Sequence, residues 1–510
     1  MALAKTLSVA FEGVSATLVH VEANIGPGLP GTYIVGMASA AVTEAKDRIK
    51  TAAHNSGLDW PKTKVIVSLV PGNLPKSGTH FDLAIAVAIL CAATTNARII
   101  DSVKNILFLG EIGLDGQLRE VPGVLAALLE AGNHNVTAVV VPPGNAAEAA
   151  LAAGVDVFVA TSVEEVMEWI NGDRILERPQ ALSAEQHANT RRIDMDQIAG
   201  QEHAKFAAEV AAAGGHNLFL IGPRGSGKSM IAERIPTLLP QLNQRERIET
   251  TVVHSIAGRS DKHHPNQPPF VAPHHSISPA GLLGGGSGNP KPGAVSLAHN
   301  GVLFLDEVSE IPARVLDVLR IPMEQGSVRL VRNQRTVEFP TRFLLVLAAN
   351  PCRCAAEEPS ACSCPASVRA NYLNNISGPL KDRIDIFAHT HARGGLSTAA
   401  GESSATIAQR VAHARDRARH RWRTGGYGDI TTAAMDPCEV RKRYPADAEG
   451  MAMLEYFLAS GDITQRGVDR ALKLAWTLCD LEDLTTPTVD HVARAVELRS
   501  AAWPEVTHAA

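Results

Sequence analysis

Aromatic residues are scarce: Phe, Trp and Tyr make up 4% of the 510-residue chain. That poverty disfavours a protein that reads single strands mainly by stacking bases on rings. A basic excess is also missing. Lys and Arg number 48 against 53 Asp and Glu, for a net charge of −5. Any grip on nucleic acid must therefore come from a local patch or a pore. No uncharged apolar run reaches the ~18 residues a membrane helix needs. The longest candidate, residues 83–93, has the length of a buried helix, with Asp82 at its head. Residues 1–13 lack a basic stretch followed by an apolar core and a cleavage site. The expectation is a soluble, cytoplasmic protein with no membrane segment. Cysteines are few and odd in number, seven in all.

What is present is ordinary globular material. Hydrophobic residues make up 45% and charged residues 20%, which excludes a disordered or fibrous chain. At about 150 residues per domain, roughly three domains are expected. There is no internal repeat.

Residues 1–176 read as α+β. Apolar runs at 64–70 and 136–141 predict strands, and 84–93 and 124–131 predict helices. Pro142, Pro143 and Gly144 stop the second strand. Residues 177–192 are polar and lack periodicity, as a linker would. A second unit, residues 193–393, follows. In it, 204–213 predicts a helix, 216–221 a strand and 230–239 a helix. The runs 302–305 and 343–348 are fully apolar, as expected of buried parallel strands. Residues 265–293, dense in Pro, Gly and His, read as a loop or irregular insertion. Small residues at 394–404 form a hinge, and the remainder to 510 has a helical pattern.

The strongest chemical signal is Gly222-Pro223-Arg224-Gly225-Ser226-Gly227-Lys228-Ser229, a complete G-x-x-x-x-G-K-[ST] loop between a strand and a helix. Its backbone N–H groups would cradle phosphate oxygens and the helix N-terminus would add its dipole. Lys228 would reach the β- and γ-phosphates and Ser229 would ligate Mg²⁺. Asp306 and Glu307 end the strand at 302–305. Read alone, they start a solvated loop. After such a phosphate loop, Asp306 belongs to the Mg²⁺ shell and Glu307 polarises the attacking water. Asn350, ending the next apolar run, can orient that water or cap a turn. Arg383, in Asp382-Arg383-Ile384-Asp385, could serve a neighbouring subunit's nucleotide. By itself it reads as a surface ion-pair residue.

These residues, with Ala272-Pro-His274-His275-Ser, Gly284-Gly-Gly-Ser, Asn350-Pro-Cys and Gly401-Glu-Ser-Ser, resemble the YifB/ComM family of magnesium-chelatase-like AAA+ ATPases over nearly the whole chain. The resemblance implies an α/β P-loop core of parallel sheet and helices, then a helical lid over 394–510. It implies Lys228 and Ser229 as Walker A, Asp306 and Glu307 as Walker B, Asn350 as sensor 1, Arg383 as a trans-acting arginine finger and Arg466 as sensor 2. It implies a hexameric ring that uses ATP and Mg²⁺. ComM proteins are DNA motors that promote branch migration, so the implied partner is single-stranded or branched DNA, bound without regard to sequence.

Residues 1–176 resemble the S5-like proteolytic domain of Lon. His80 stands where that family has its nucleophilic serine, Ser77 is out of register, and Leu125 stands where the lysine would be. A Ser–Lys dyad needs both groups, so no protease activity is expected. The unit is expected to serve oligomerisation, DNA contact or scaffolding. The rival function is a chelatase- or chaperone-like motor that remodels a protein or inserts metal. The Lon-like unit argues against a chelatase subunit, in which that unit is not expected.

Cys352, Cys354, Cys362 and Cys364 offer four thiolates, enough for tetrahedral Zn²⁺, although C-x-C is tighter than the usual spacing. Free thiols and a regulated disulfide are the alternatives. In a reducing cytosol zinc is favoured. The cluster follows Asn350, so its loss should disturb that sensor. Residues 327–339 predict a hairpin with an Asn-Gln tip, and Arg329, Arg332 and Arg335 give it positive charge. In a ring it would point into the pore and hold phosphates. A solvated edge hairpin is the bland alternative. The glycine-rich stretch at 284–288 suggests a second pore element or a flexible loop. His254, His263, His264, His274 and His275 have no convincing metal-ligand spacing and suggest a structural or DNA-proximal role.

Overall fold

The computed structural model describes residues 2–94, 96–180, 193–259, 266–286, 290–332, 335–354, 356, 362–365, 367–368, 372, 376–391 and 401–500, without the side chains of Ala2, Arg332, Arg335 and Ser500. Its first sheet has seven strands in the order Gly31–Val35, Lys64–Val70, Ser15–Gly26, Ala2–Glu12, Ile106–Phe108, Ala138–Val141, Val157–Val159. The two longest strands form a hairpin, pairing from Ala2 with Ile25 to Glu12 with Ser15. Gly13, at φ +63°, makes the turn. Helix Asp82–Ala93 packs on these strands, buried along its length from Asp82 to Ala92, which explains its lack of a polar face. Asp82 lies beneath Arg48, whose Nε and Nη2 donate to its carboxylate at 2.8 and 3.0 Å.

The second sheet is parallel throughout, in the order Phe270–Val271, Val302–Leu305, Leu344–Ala349, Leu218–Ile221, Ile386–His389. Alternate side chains divide between two cores. Phe219, Leu303, Leu305, Leu345 and Leu347 pack on one face. Leu218, Leu220, Phe304, Val346 and Ile386 pack on the other, in one cluster with Trp422 and Trp476 from the helical C-terminal region. That region comprises Ser404–Thr424, Pro437–Arg443, Ala448–Ser460, Gln465–Leu481 and Val489–Ser500. Its helices and the sheet therefore share a single apolar core. Ser404 pins the junction: its Oγ accepts from Met195 N–H at 2.8 Å and its N–H donates to Asp194 at 2.7 Å.

Residues 265–293 are more regular than their composition suggests. They include the edge strand Phe270–Val271, the helix Pro279–Leu283 with Ser278 as its N-cap, and the pairing of Gly284–Gly285 with Lys291–Pro292. A two-residue strand shows no periodicity, and Pro at the first helical turn is compatible with a helix. Among the described residues, no helix is long and apolar enough to cross a membrane.

Candidate nucleotide-binding site

Strand Leu218–Ile221 delivers the chain into Gly222 at the C-terminal edge of the sheet. Two kinds of glycine shape the loop. A Cβ on Gly222 would run into the hydroxyl and carbonyl of Thr390, so this glycine permits close approach. Gly225 and Gly227 have φ of +73° and +88° with open space around them, so they supply conformation. Helix Lys228–Leu238 begins at the loop's end. Ser226 is buried and shares a 2.6 Å hydrogen bond with Thr390, while Arg224 is exposed.

The Lys228 ammonium donates to the carbonyls of Gly222 and Pro223, both at 2.7 Å, and to Asn350 Oδ1 at 3.1 Å. Burial lowers its pKa, and Asp306 and Glu307 oppose that shift. Ser229 Oγ donates to Asp306 Oδ2 at 2.7 Å. These oxygen donors suit a hard cation such as Mg²⁺, which takes a hydroxyl and one or two carboxylates beside phosphate oxygens. Glu307 lies in the left-handed region at φ +47°, an uncommon state for a residue with a side chain. This turn parts the two carboxylates. Asp306 faces Ser229, and Glu307 meets His275, Nδ1 to Oε2 at 3.4 Å. Tyr372 lies beside Asn350 and Ser309; burial foremost, then Glu310 and Glu307, push its pKa up to about 12. The structure thus brings together Lys228, Ser229, Asp306, Glu307 and Asn350.

Arg383 and Arg466 lie elsewhere. Arg383 precedes strand Ile386–His389, at the N-terminal edge of the sheet. There it pairs with Glu324, and its carbonyl accepts from Asn217 Nδ2 at 2.8 Å. Arg466 pairs with the adjacent Asp382 at 3.4 Å. One turn on, Arg470 pairs with Asp385. Burial pushes the Asp385 pKa up, yet Arg470 and His216 hold it well below the usual carboxylate range. A four-residue strand, ~13 Å long, separates this edge from the phosphate loop.

The arginine hairpin forms as expected, Ser327–Arg332 against Arg335–Pro340. Its tip and the side chains of Arg332 and Arg335 lie outside the described residues. Arg329 is not a free charge, because Glu338 pairs with it at 3.0 Å. The second small hairpin lies against the first: a Cβ on Gly284 would come within 3.2 Å of Leu330. Ser287 and Gly288, at the end of the glycine-rich stretch, lie outside the described residues. A Cβ on Gly13 would stand 2.5 Å from Val337, midway along the second strand of the arginine hairpin, so the N-terminal hairpin abuts it.

His275 is placed beside the Glu307 carboxylate, a contact its sequence context did not reveal. His254 is structural, with a ring nitrogen 2.9 Å from the Leu297 carbonyl. His263 and His264 lie outside the described residues. Sequence reasoning also missed Tyr372 and Thr390. His275 lies in the Ala272-Pro-His274-His275-Ser stretch, but its placement at Glu307 follows from the edge strand Phe270–Val271 paired with Val302–Leu303.

In the N-terminal unit, His80 is buried, its Nε2 2.8 Å from the Val9 carbonyl and its ring 4.9 Å from that of Phe11. Phe11 also covers Gly123, and Leu125 is buried. Phe11 thus occupies the space between the two dyad positions. The same place is a seam with the ATPase core: Gly123 N–H donates to Ser255 Oγ at 2.7 Å, and Leu125 packs near Val252.

Three family models match. One described as magnesium chelatase, subunit ChlI covers 194–395; subunit ChlI of Mg-chelatase covers 21–145; and its C-terminal part covers 401–499. The chelatase description thus extends over the N-terminal unit. That unit therefore does not argue against a chelatase-type motor, as the sequence had suggested. An uncharacterized protein of Mycobacterium tuberculosis is 43% identical over 98% of this chain and 99% of its own. Escherichia coli YifB is 38% identical over 96% and 95%. Haemophilus influenzae competence protein ComM is 36% identical over 98% of each. With the assembled phosphate loop and carboxylate pair, these full-length matches place the chain in the YifB/ComM family of magnesium-chelatase-like AAA+ ATPases.

Proposed function

We propose that the chain is a ring-forming, Mg²⁺-dependent ATPase, a hexamer that moves along single-stranded or branched DNA in recombination. One observation carries the ring. Arg383 and Arg466 stand at the opposite end of the sheet from Lys228 of the same chain, so they serve the nucleotide of a neighbouring copy. Lys228 holds the β- and γ-phosphates through contacts that replace its present carbonyl partners. Glu307 orients the attacking water, and Asn350 fixes its position. Arg383 of the neighbour takes up charge as the γ-phosphoryl bond to the leaving diphosphate breaks. Mg²⁺, when held by Ser229 and Asp306, neutralises phosphate charge. The filled dyad position supports a scaffold rather than a protease in the N-terminal unit.

The adjacent hairpins support DNA as the track. Arg332 and Arg335 close the longer hairpin, and sixfold repetition concentrates their charge in a pore despite the net acidity. Phosphate contacts of this kind hold without reading sequence. A relative named for competence points the same way. The test is the ATPase rate with and without forked DNA across salt. Stimulation that weakens as salt rises is expected. A rate indifferent to DNA would favour the second reading, a motor that remodels a protein or metal-insertion partner, which the chelatase descriptions of all three matched segments support.

A further inference from the structure

Four sulfurs converge at the rim of the ATP site. The Sγ atoms of Cys352, Cys354, Cys362 and Cys364 all lie within 4.8 Å of one another. Cys352 stands 3.0 Å from Cys354 and 3.3 Å from Cys362, and Cys354 stands 3.5 Å from Cys362. Disulfide sulfurs are about 2.05 Å apart. A tetrahedron with metal–sulfur bonds of about 2.3 Å sets sulfurs about 3.8 Å apart. The observed spacing is far from the first and close to the second. It leaves room for one ion and not for a multi-iron cluster. Thiolate donors in a tetrahedral set select zinc among the common divalent metals.

The cluster lies between two contacts with the ATP site. Cys352 is buried two residues after Asn350, which meets Lys228. Tyr372, eight residues after Cys364, lies beside Asn350 and Ser309. In sequence the four sulfurs thus fall between two residues of the site, Asn350 and Tyr372. A chain segment of about twenty residues gives its ends little mutual constraint unless it is cross-linked. A four-coordinate knot shortens it to two brief arms.

We propose that Cys352, Cys354, Cys362 and Cys364 bind one structural Zn²⁺, and that the metal positions Asn350 and Tyr372 at the ATP site. The site is closed, with no open position for catalysis. Its positional role rests on the ATPase reading, whereas zinc binding does not.

The experiment uses the full chain. Elemental analysis should find one zinc per chain, and a mercurial should release it to a chromogenic chelator. Cys362→Ser should lose the metal and lower kcat for ATP by about tenfold or more, with KM changed little. Cys362→His, which offers another zinc ligand, should restore both metal and kcat. A chain with neither zinc nor its release, or with iron in its place, overturns the site. Zinc lost from Cys362→Ser with kcat unchanged overturns the positional role. One zinc per chain in a protein without ATPase activity supports the site and overturns the reading on which its role rests.

Discussion

At the residue scale, the ATP site depends on how two consecutive carboxylates are parted. Glu307 occupies the left-handed region, so its carboxylate leaves the Ser229–Asp306 pair and turns to His275. Glu307→Gln keeps the shape and removes the charge proposed to polarise water. ATP turnover should fall by at least ~100-fold while nucleotide binding, read by a fluorescent analogue, persists. His80 makes a second prediction. Burial lowers its pKa from 6.5 to about 4. The unfolded chain takes up a proton near pH 6.5, and the folded chain does so only near pH 4. The contribution is therefore complete above pH 6.5 and is lost as pH falls toward 4, by ~3 kcal/mol. His80→Gln, which can still donate to Val9, should unfold with a shallower pH dependence over that window than the unaltered chain. Parallel denaturant titrations at several pH values measure the difference.

At the element scale, much was legible because composition and period agreed. The strands Lys64–Val70 and Val302–Leu305 and the helix Val124–Ala131 form where the sequence predicts them. The phosphate loop needed no tertiary information, since its glycines, lysine and serine all fall within one short stretch, from Gly222 to Ser229. Phe270–Val271 was illegible because two residues carry no period, and with it went the placement of His275. The long hairpin Ala2–Glu12 and Ser15–Gly26 was missed because buried Thr6 and Ser8 weaken its apolar signal. Its turn now explains what seats the arginine hairpin. Gly13 combines φ +63° with close approach to Val337. Gly13→Ala should destabilise the chain by about 1–2 kcal/mol, through strain and the displaced Val337, and calorimetry would register it as a lowered Tm.

At the scale of the whole molecule, the helical C-terminal region is not a loosely attached lid. It shares one core with the sheet through Trp422, Trp476 and Ile386, so movement there bears directly on the strands that carry the site. The N-terminal unit adds a seam at Gly123 and Ser255, where Phe11 fills the would-be dyad. None of this was legible in the sequence, because the partners lie far apart along the chain, 132 residues in the case of Gly123 and Ser255. Nor was the separation of Lys228 from Arg383, on which the proposed ring rests. A mixing experiment tests that claim most directly. Lys228→Ala and Arg383→Ala should each abolish ATP turnover alone. Mixed under conditions of subunit exchange, Lys228→Ala supplies an intact Arg383 to the intact Lys228 of its neighbour. ATPase activity should return on mixing, to a fraction set by the subunit ratio. A mixture as inactive as its two components would contradict that claim.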